Sequence, residues 1–184
     1  MGLLSCHEMR ELERRAFRKG ISAESLMDKA GKRLGEALVD LYSGPGTAVA
    51  YVGKGNNGGD ALVALRVLRS AGWKVVVRSA FQPLEIGALP RQKLRELGDI
   101  EVQRHRWESE SSQGPLLLLD GLLGIGANGA LREPIGALAA EMNALRESGG
   151  AEIVAIDVPS GVNADDGRVE DGAVQADLTA TIAV

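Results

Sequence analysis

One stretch constrains the fold more than any other. Thr47 to Val52, a short aliphatic run, passes through Gly53-Lys54-Gly55-Asn56-Asn57-Gly58-Gly59-Asp60 into an Ala-rich segment. The run reads as a buried strand, and the segment from Asp60 to about Ala71 as a helix. The turn between them contains G-x-G-x-x-G after a strand and before a helix, the setting in which such a turn cradles phosphate. Glycines let the backbone approach an anion, and the helix N-terminus turns amides and partial positive charge toward it. Two features separate the turn from a dinucleotide fingerprint. Asp60 stands where a carboxylate would repel a pyrophosphate unless it faces another part of the ligand, and the next strand ends Val77-Arg78-Ser79, with no acid for a ribose. No Gly-Lys-Ser/Thr follows, so this is not a P-loop. The competing reading is a tight Asn-Gly turn with Asp60 as helix cap. Two Asn and two Gly in a row exceed what a turn needs, which favours a ligand site.

Strands and helices alternate around this unit. Ser5-Cys6-His7-Glu8 fits a capping box, and Met9, Leu12 and Ala16 follow at helical spacing. A second helix runs from about Ser25, with Leu26, Ala30, Leu34, Leu38 and Leu41 on one stripe, until Gly44-Pro45-Gly46 stops it. Later strands are expected at Lys74 to Ser79, Ile100 to Gln103, Leu116 to Leu119, Glu152 to Val158 and Leu178 to Val184. Helices are expected at about Arg91 to Leu97 and at Pro134 to Arg146, and Glu108 to Gln113 reads as a Ser-rich loop. Such alternation implies right-handed βαβ units and an α/β fold with a mostly parallel sheet. At 184 residues the chain suits one domain, 1–184, burying roughly 70% of its unfolded surface. The last expected strand runs to the final residue, which fits a piece of a longer chain.

Composition narrows the function classes. Aromatics are only 3% of the chain, so the core must be built from Val, Leu, Ile and Ala, as in strands buried on both faces. A net charge of −4 lacks the basic footprint of a nucleic-acid binder. Cys6 is the single cysteine, which excludes an intrachain disulfide and points to a reducing, cytoplasmic setting. No apolar run approaches the roughly 18 residues of a membrane span, and the N-terminus does not read as a secretory signal.

In an open parallel sheet ligands bind beyond the carboxyl ends of the strands, and two more loops there carry acids. Asp120 ends an all-Leu strand and opens Gly121-Leu122-Leu123-Gly124-Ile125-Gly126-Ala127-Asn128-Gly129; Asp157 ends another and opens Val158-Pro159-Ser160-Gly161. Converging carboxylates need a cation, a shared proton or a ligand with donors. Neither His7 nor His105 lies near these loops in sequence, so Asp60 and Asp157 are the candidate acid–base catalysts, one with a raised pKa. Asn57, Asp120 and Ser160 offer oxygen ligands only, which suits a hard cation rather than zinc. Lys54 reads equally as a phosphate contact or a solvated surface lysine. Arg10, Arg14 and Arg15 read as the wet face of the first helix, and Cys6 as an incidental thiol.

Together these segments resemble the YjeF N-terminal domain family, the NAD(P)H-hydrate epimerases, over nearly the whole chain. The carriers are Met9-Arg10-Glu11-Leu12-Glu13-Arg14-Arg15-Ala16, Gly55-Asn56-Asn57-Gly58-Gly59-Asp60, Asp120-Gly121-Leu122-Leu123-Gly124 with Arg132-Glu133-Pro134, and Ile156-Asp157-Val158-Pro159-Ser160-Gly161 followed by Gly172 to Thr179. The chain departs from the family pattern at Leu123, Ile125 and Asn163.

The resemblance implies a Rossmann-like three-layer αβα sandwich and interconversion of the R and S forms of hydrated NADH or NADPH. It implies that Asn57, Asp120 and Ser160 hold a potassium ion. It also implies that Asn56, Asn57, Gly58, Gly59, Asp60, Gly124, Ile125, Gly126, Ala127, Asn128, Gly129, Ala130 and Asp157 touch the substrate. An ADP- or ATP-dependent dehydratase, fused in many bacterial members, would be the functional partner, and a homodimer is compatible with the reading. The rival from another class is a non-catalytic nucleotide-binding or scaffold domain. A retired site would be expected to have lost Asn57, Asp120 or Asp157, and none is missing.

Overall fold

The computed structural model describes residues 5–100, 102–107, 114–148 and 150–181. The elements run α1 (Cys6–Arg18), α2 (Ala23–Leu41), β1 (Thr47–Val52), α3 (Asn56–Ser70), β2 (Lys74–Arg78), α4 (Ala88–Glu96), β3 (Val102–Gln103), β4 (Leu116–Gly121), α5 (Ile135–Glu147), β5 (Ala151–Ile156) and β6 (Leu178–Ala180), with a 3₁₀ turn at Pro83–Glu85. The strands form one sheet in the order β3-β2-β1-β4-β5-β6, every pairing parallel. The chain winds outward from β1 to β3, then returns to the other side of β1 and continues outward. That reversal places the topological switch point between β1 and β4, where such sheets open a crevice.

Alternation along β1 shows why the layers form. Ala48, Ala50 and Val52 pack in a core with α2, α3 and α4, whereas Val49 and Tyr51 pack in a second core with α5. All six β1 residues are buried, so the run is aliphatic rather than alternating with polar residues. The α3 helix lies between the sheet and α2 and is apolar nearly all round, with Ala61, Leu62, Val63, Ala64 and Leu65 all buried. Close approach of α2 to α3 depends on Gly31: a Cβ there would sit 2.5 Å from Val63 Cβ and 2.7 Å from the Asp60 carbonyl oxygen. On the opposite face Arg78 forks onto Glu141, with Nη2 2.8 Å from Oε2 and Nε 2.9 Å from Oε1, and the Tyr51 hydroxyl also donates to that carboxylate at 2.9 Å. The buried pair is therefore fully hydrogen-bonded, the condition under which buried charge is tolerated.

The predicted capping box is present: Ser5 N-caps α1, accepting from the Glu8 amide while its own amide donates to the Glu8 side chain. Other boundaries shift. The α2 helix starts at Ala23 behind an Ser22 cap, α4 starts at Ala88, and the strand expected through Val158 ends at Ile156. Glu108 to Gln113 and the end of the last expected strand, residues 182–184, lie outside the described residues.

Candidate active site

The largest departure from expectation is at the glycine-rich turn. The α3 helix begins at Asn56, with Gly55 as N-cap and no side-chain capping bond. Asn56-Asn57-Gly58-Gly59 is therefore the first helical turn rather than a loop, and Asp60 sits within the helix instead of capping it. These residues are poor helix formers, and tertiary packing overrides the preference. A Cβ on Gly59 would lie 2.4 Å from Met27 Sδ of α2, and one on Gly58 2.9 Å from Val52 Cγ1. The glycines let this turn wedge between β1 and α2. Asn57, 8% exposed, then donates from Nδ2 to the Leu123 carbonyl at 2.7 Å, tying the turn to the β4 loop.

Asp120 lies one residue before the end of β4 and beside Tyr51 of β1. Its carboxylate has no solvent exposure. Oδ2 accepts from the Ser160 amide at 2.7 Å; Oδ1 accepts from the Ser160 hydroxyl at 2.7 Å and from the Leu122 amide at 3.2 Å. Ser160 Oγ in turn accepts from the Leu123 amide at 2.9 Å. Burial pushes the Asp120 carboxyl up to about 6 although these donors pull it down. Asn57, Leu123, Asp120 and Ser160 thus form one buried network joining the ends of β1, β4 and β5. Its oxygens carry a single formal negative charge, and no group of three or more His, Cys, Asp or Glu that could hold a metal occurs among the described residues. Oxygen-only donors with one charge fit a hard monovalent cation, which would offset the desolvated carboxylate.

Asp157 follows β5 with φ of 72°, the only positive φ at a non-glycine residue among those described. Left-handed backbone at Asp is uncommon and marks a position held by its surroundings. Its amide donates to the Ala180 carbonyl at 2.9 Å, pinning the residue to the end of β6. Asp157 faces Asp60. The Asp60 carboxyl is pushed up to about 8, first by burial, then by the Asp157 carboxylate, then by Glu13 of α1. At neutral pH the Asp60 carboxyl therefore holds its proton. A carboxyl that keeps its proton, within reach of a second carboxylate, is an arrangement suited to acid–base work.

The Gly124–Ala130 segment lies beside these groups: a Cβ on Gly124 would be 3.4 Å from Asn57 Cβ. A shallow cleft runs between it and the β5 loop, lined by Leu123, Ala127, Asn128, Gly129 and Gly161. The structure thus brings every candidate site residue to one rim of the sheet. Lys54 turns elsewhere, pairing with Glu85 at 3.2 Å and lying over the Phe81 ring at 4.6 Å, so the surface reading applies. Cys6 is buried, and its thiol is raised by burial and by Asp165, the opposite of an activated nucleophile. Sequence reasoning missed Glu13 and the Leu123 carbonyl. Glu13 carries no signal beyond its place on a charged helix, and a backbone carbonyl carries none.

Comparisons with known proteins identify the family and the fold. The model of the family described as YjeF-related protein N-terminus matches residues 23–184. An NAD(P)H-hydrate epimerase from Rhodopirellula baltica is 32% identical over 98% of this chain and 74% of its own length. A bifunctional NAD(P)H-hydrate repair enzyme from Coxiella burnetii is 34% identical over 95% of this chain but only 35% of its own length. The chain therefore spans about a third of the bifunctional relatives. Among solved structures, yeast ynu0 superposes with a TM-score of 0.78 at 19% identity, covering 98% of this chain and 80% of that one, and has the same fold.

Proposed function

Because the chain belongs to the YjeF-related protein N-terminus family, we propose that it is an isomerase that interconverts the R and S forms of hydrated NADH and NADPH. The observation that carries this reading is that Asp60, its carboxyl raised to about 8, lies within electrostatic reach of the Asp157 carboxylate at the carboxyl ends of the strands. The reaction needs that pair. Carbon 6 of the hydrated nicotinamide ring bears a hydroxyl beside a ring nitrogen. Asp60 gives its proton to this hydroxyl as the C6–O bond breaks, the nitrogen lone pair forms a C6=N bond, and water leaves. Water then adds to either face of C6 and yields its proton to the Asp157 carboxylate, from which a proton returns to Asp60 before the next turnover. Proton transfer of this kind is worth typically 10²–10⁴-fold in rate.

Asn56 to Asp60, Gly124 to Ala130 and Asp157 form the substrate-binding surface in this reading. Asn57, Asp120 and Ser160 would hold a potassium ion, which supplies positive charge that locks the three loops together. Support comes from the donor set, buried and oxygen-only, with one charge. An ADP- or ATP-dependent dehydratase, fused in relatives named as bifunctional, is the proposed consumer of the product. The lone cysteine favours a cytoplasmic setting, and no helix among the described residues is long and apolar enough to cross a membrane.

The test is a coupled assay. A dehydratase that accepts only the S form consumes half of a racemic hydrate, and adding this protein should release the remainder. Hydrate binding without that release would favour a scaffold domain instead.

A further inference from the structure

The α1 helix crosses the site. At its start the Cys6 amide donates to Asp165 Oδ1 at 2.9 Å, in the segment that follows β5. One turn on, the Arg10 guanidinium lies against the β4 loop, where a Cβ on Gly126 would sit 3.7 Å from Nη2. Another turn on, Glu13 comes within electrostatic reach of Asp60 in the α3 helix that follows β1. These three contacts fall in the order in which the sheet arranges β5, β4 and β1. The spacing agrees as well. Seven residues of helix rise about 10 Å, and two inter-strand steps span about 9.6 Å. Cys6, Arg10 and Glu13 are spaced i, i+4 and i+7, so they share one face of α1.

We propose that α1 is a wall of the active site and that Arg10 binds the phosphate-bearing half of the substrate. The inference rests on the epimerase reading for the identity of that substrate. Arg10 is exposed at the rim. Its charge helps to lower the Asp165 carboxyl, but among the described residues its guanidinium forms no direct salt bridge, whereas Arg14 one turn further along is paired with Glu11 at 2.6 Å. A guanidinium presents a planar fork of donors that matches phosphate oxygens. Lys54, the basic residue of the glycine-rich turn, is committed to Glu85 and Phe81. Arg10 therefore brings to the β4 loop a cation that the turn does not offer. It also stands one helical turn from Glu13, so a phosphate at Arg10 and a nicotinamide ring at Asp60 would be reached by one extended molecule.

The test is steady-state kinetics of Arg10→Ala, Arg10→Lys and the control Arg14→Ala on NADH hydrate and NADPH hydrate, with melting temperatures and direct calorimetric binding of each hydrate. Arg10→Ala should raise KM about tenfold or more with kcat within about twofold. Arg10→Lys should recover part of the loss, and Arg14→Ala should match wild type. An equal KM rise for both hydrates assigns the contact to the pyrophosphate; a rise for NADPH hydrate alone assigns it to the 2′-phosphate. If the wild type binds hydrate without epimerising it and Arg10→Ala still weakens binding, the contact stands and the activity falls. Unchanged KM and binding in a folded Arg10→Ala protein would overturn the proposal whether or not the enzyme is active.

Discussion

The Ser160 hydroxyl and the Ser160 amide donate to the two oxygens of the Asp120 carboxylate, each at 2.7 Å. One serine thus satisfies both sides of a fully buried acid and pins the β5 loop to the end of β4. Removing the acid should leave these donors and the Leu122 amide without a partner. Asp120→Ala is expected to lose on the order of 3 kcal/mol or more, and Ser160→Ala about 1–3 kcal/mol, read by urea unfolding.

The same network predicts an ion effect. At constant ionic strength, replacing lithium by potassium should raise the melting temperature of the wild type, since a ligand that binds only the folded state stabilises it by mass action. Asp120→Asn should abolish the difference. A wild type indifferent to the choice of cation would remove the metal from the proposal and leave the acid pair untouched.

Asp60 makes stability depend on pH. Its carboxyl is raised from an ordinary 3.8 to about 8 by burial, Asp157 and Glu13. Between those values the folded state keeps a proton that the unfolded chain has released, so stability falls as pH rises. The stabilising share is complete below about pH 4 and gone above about pH 8. Asp60→Asn should therefore match wild type near pH 4 and exceed it near pH 8, by on the order of 1–3 kcal/mol given the coupling of the pair. Glu13→Gln, which removes the weaker of the two repelling carboxylates, should move the upper edge of that window down.

Asp157 separates activity from stability. Asp157→Asn, which tolerates the left-handed backbone, should fold normally and lose about 10²–10⁴-fold in kcat. Asp157→Gly, in which glycine adopts φ of 72° without strain, should be equally inactive. Full epimerase activity in folded Asp157→Asn protein would end its assignment as a catalyst.

The seam between α2 and α3 supports the catalytic acid from behind. Gly31→Ala would drive a methyl toward Val63 Cβ at 2.5 Å and toward the Asp60 carbonyl at 2.7 Å. Overpacking of this kind costs about 1–3 kcal/mol. The backbone of Asp60 must also shift, so a fall in kcat should accompany the lower melting temperature even well below the transition.

Much of this was legible in the chain. Thr47 to Val52 is a strand at the residues expected, because an unbroken aliphatic run between turn signals fits a strand buried on both faces. The capping box at Ser5 and Glu8 is local chemistry within four residues, and it formed as read. The start of α3 was not legible. Asn-Asn-Gly-Gly reads locally as a turn, and only Met27, some thirty residues earlier, explains why Gly59 must lack a side chain inside a helix. Arg10 looked like one of several wet-face arginines. It is exposed as expected, and only the fold sets it against Gly126.

Hydrophobic periodicity and turn chemistry, which act between near neighbours, determined the alternating elements, the parallel sheet and the placing of acids at or just beyond the carboxyl ends of β1, β4 and β5. What only the tertiary structure decided is which of those acids keeps a proton and what stands over them. Asp60 is raised by burial and by charges on Asp157 and Glu13, and α1 is held over the rim through Asp165. Desolvation and Coulomb repulsion depend on distance in space rather than along the chain, so they have no value until the fold brings these groups together.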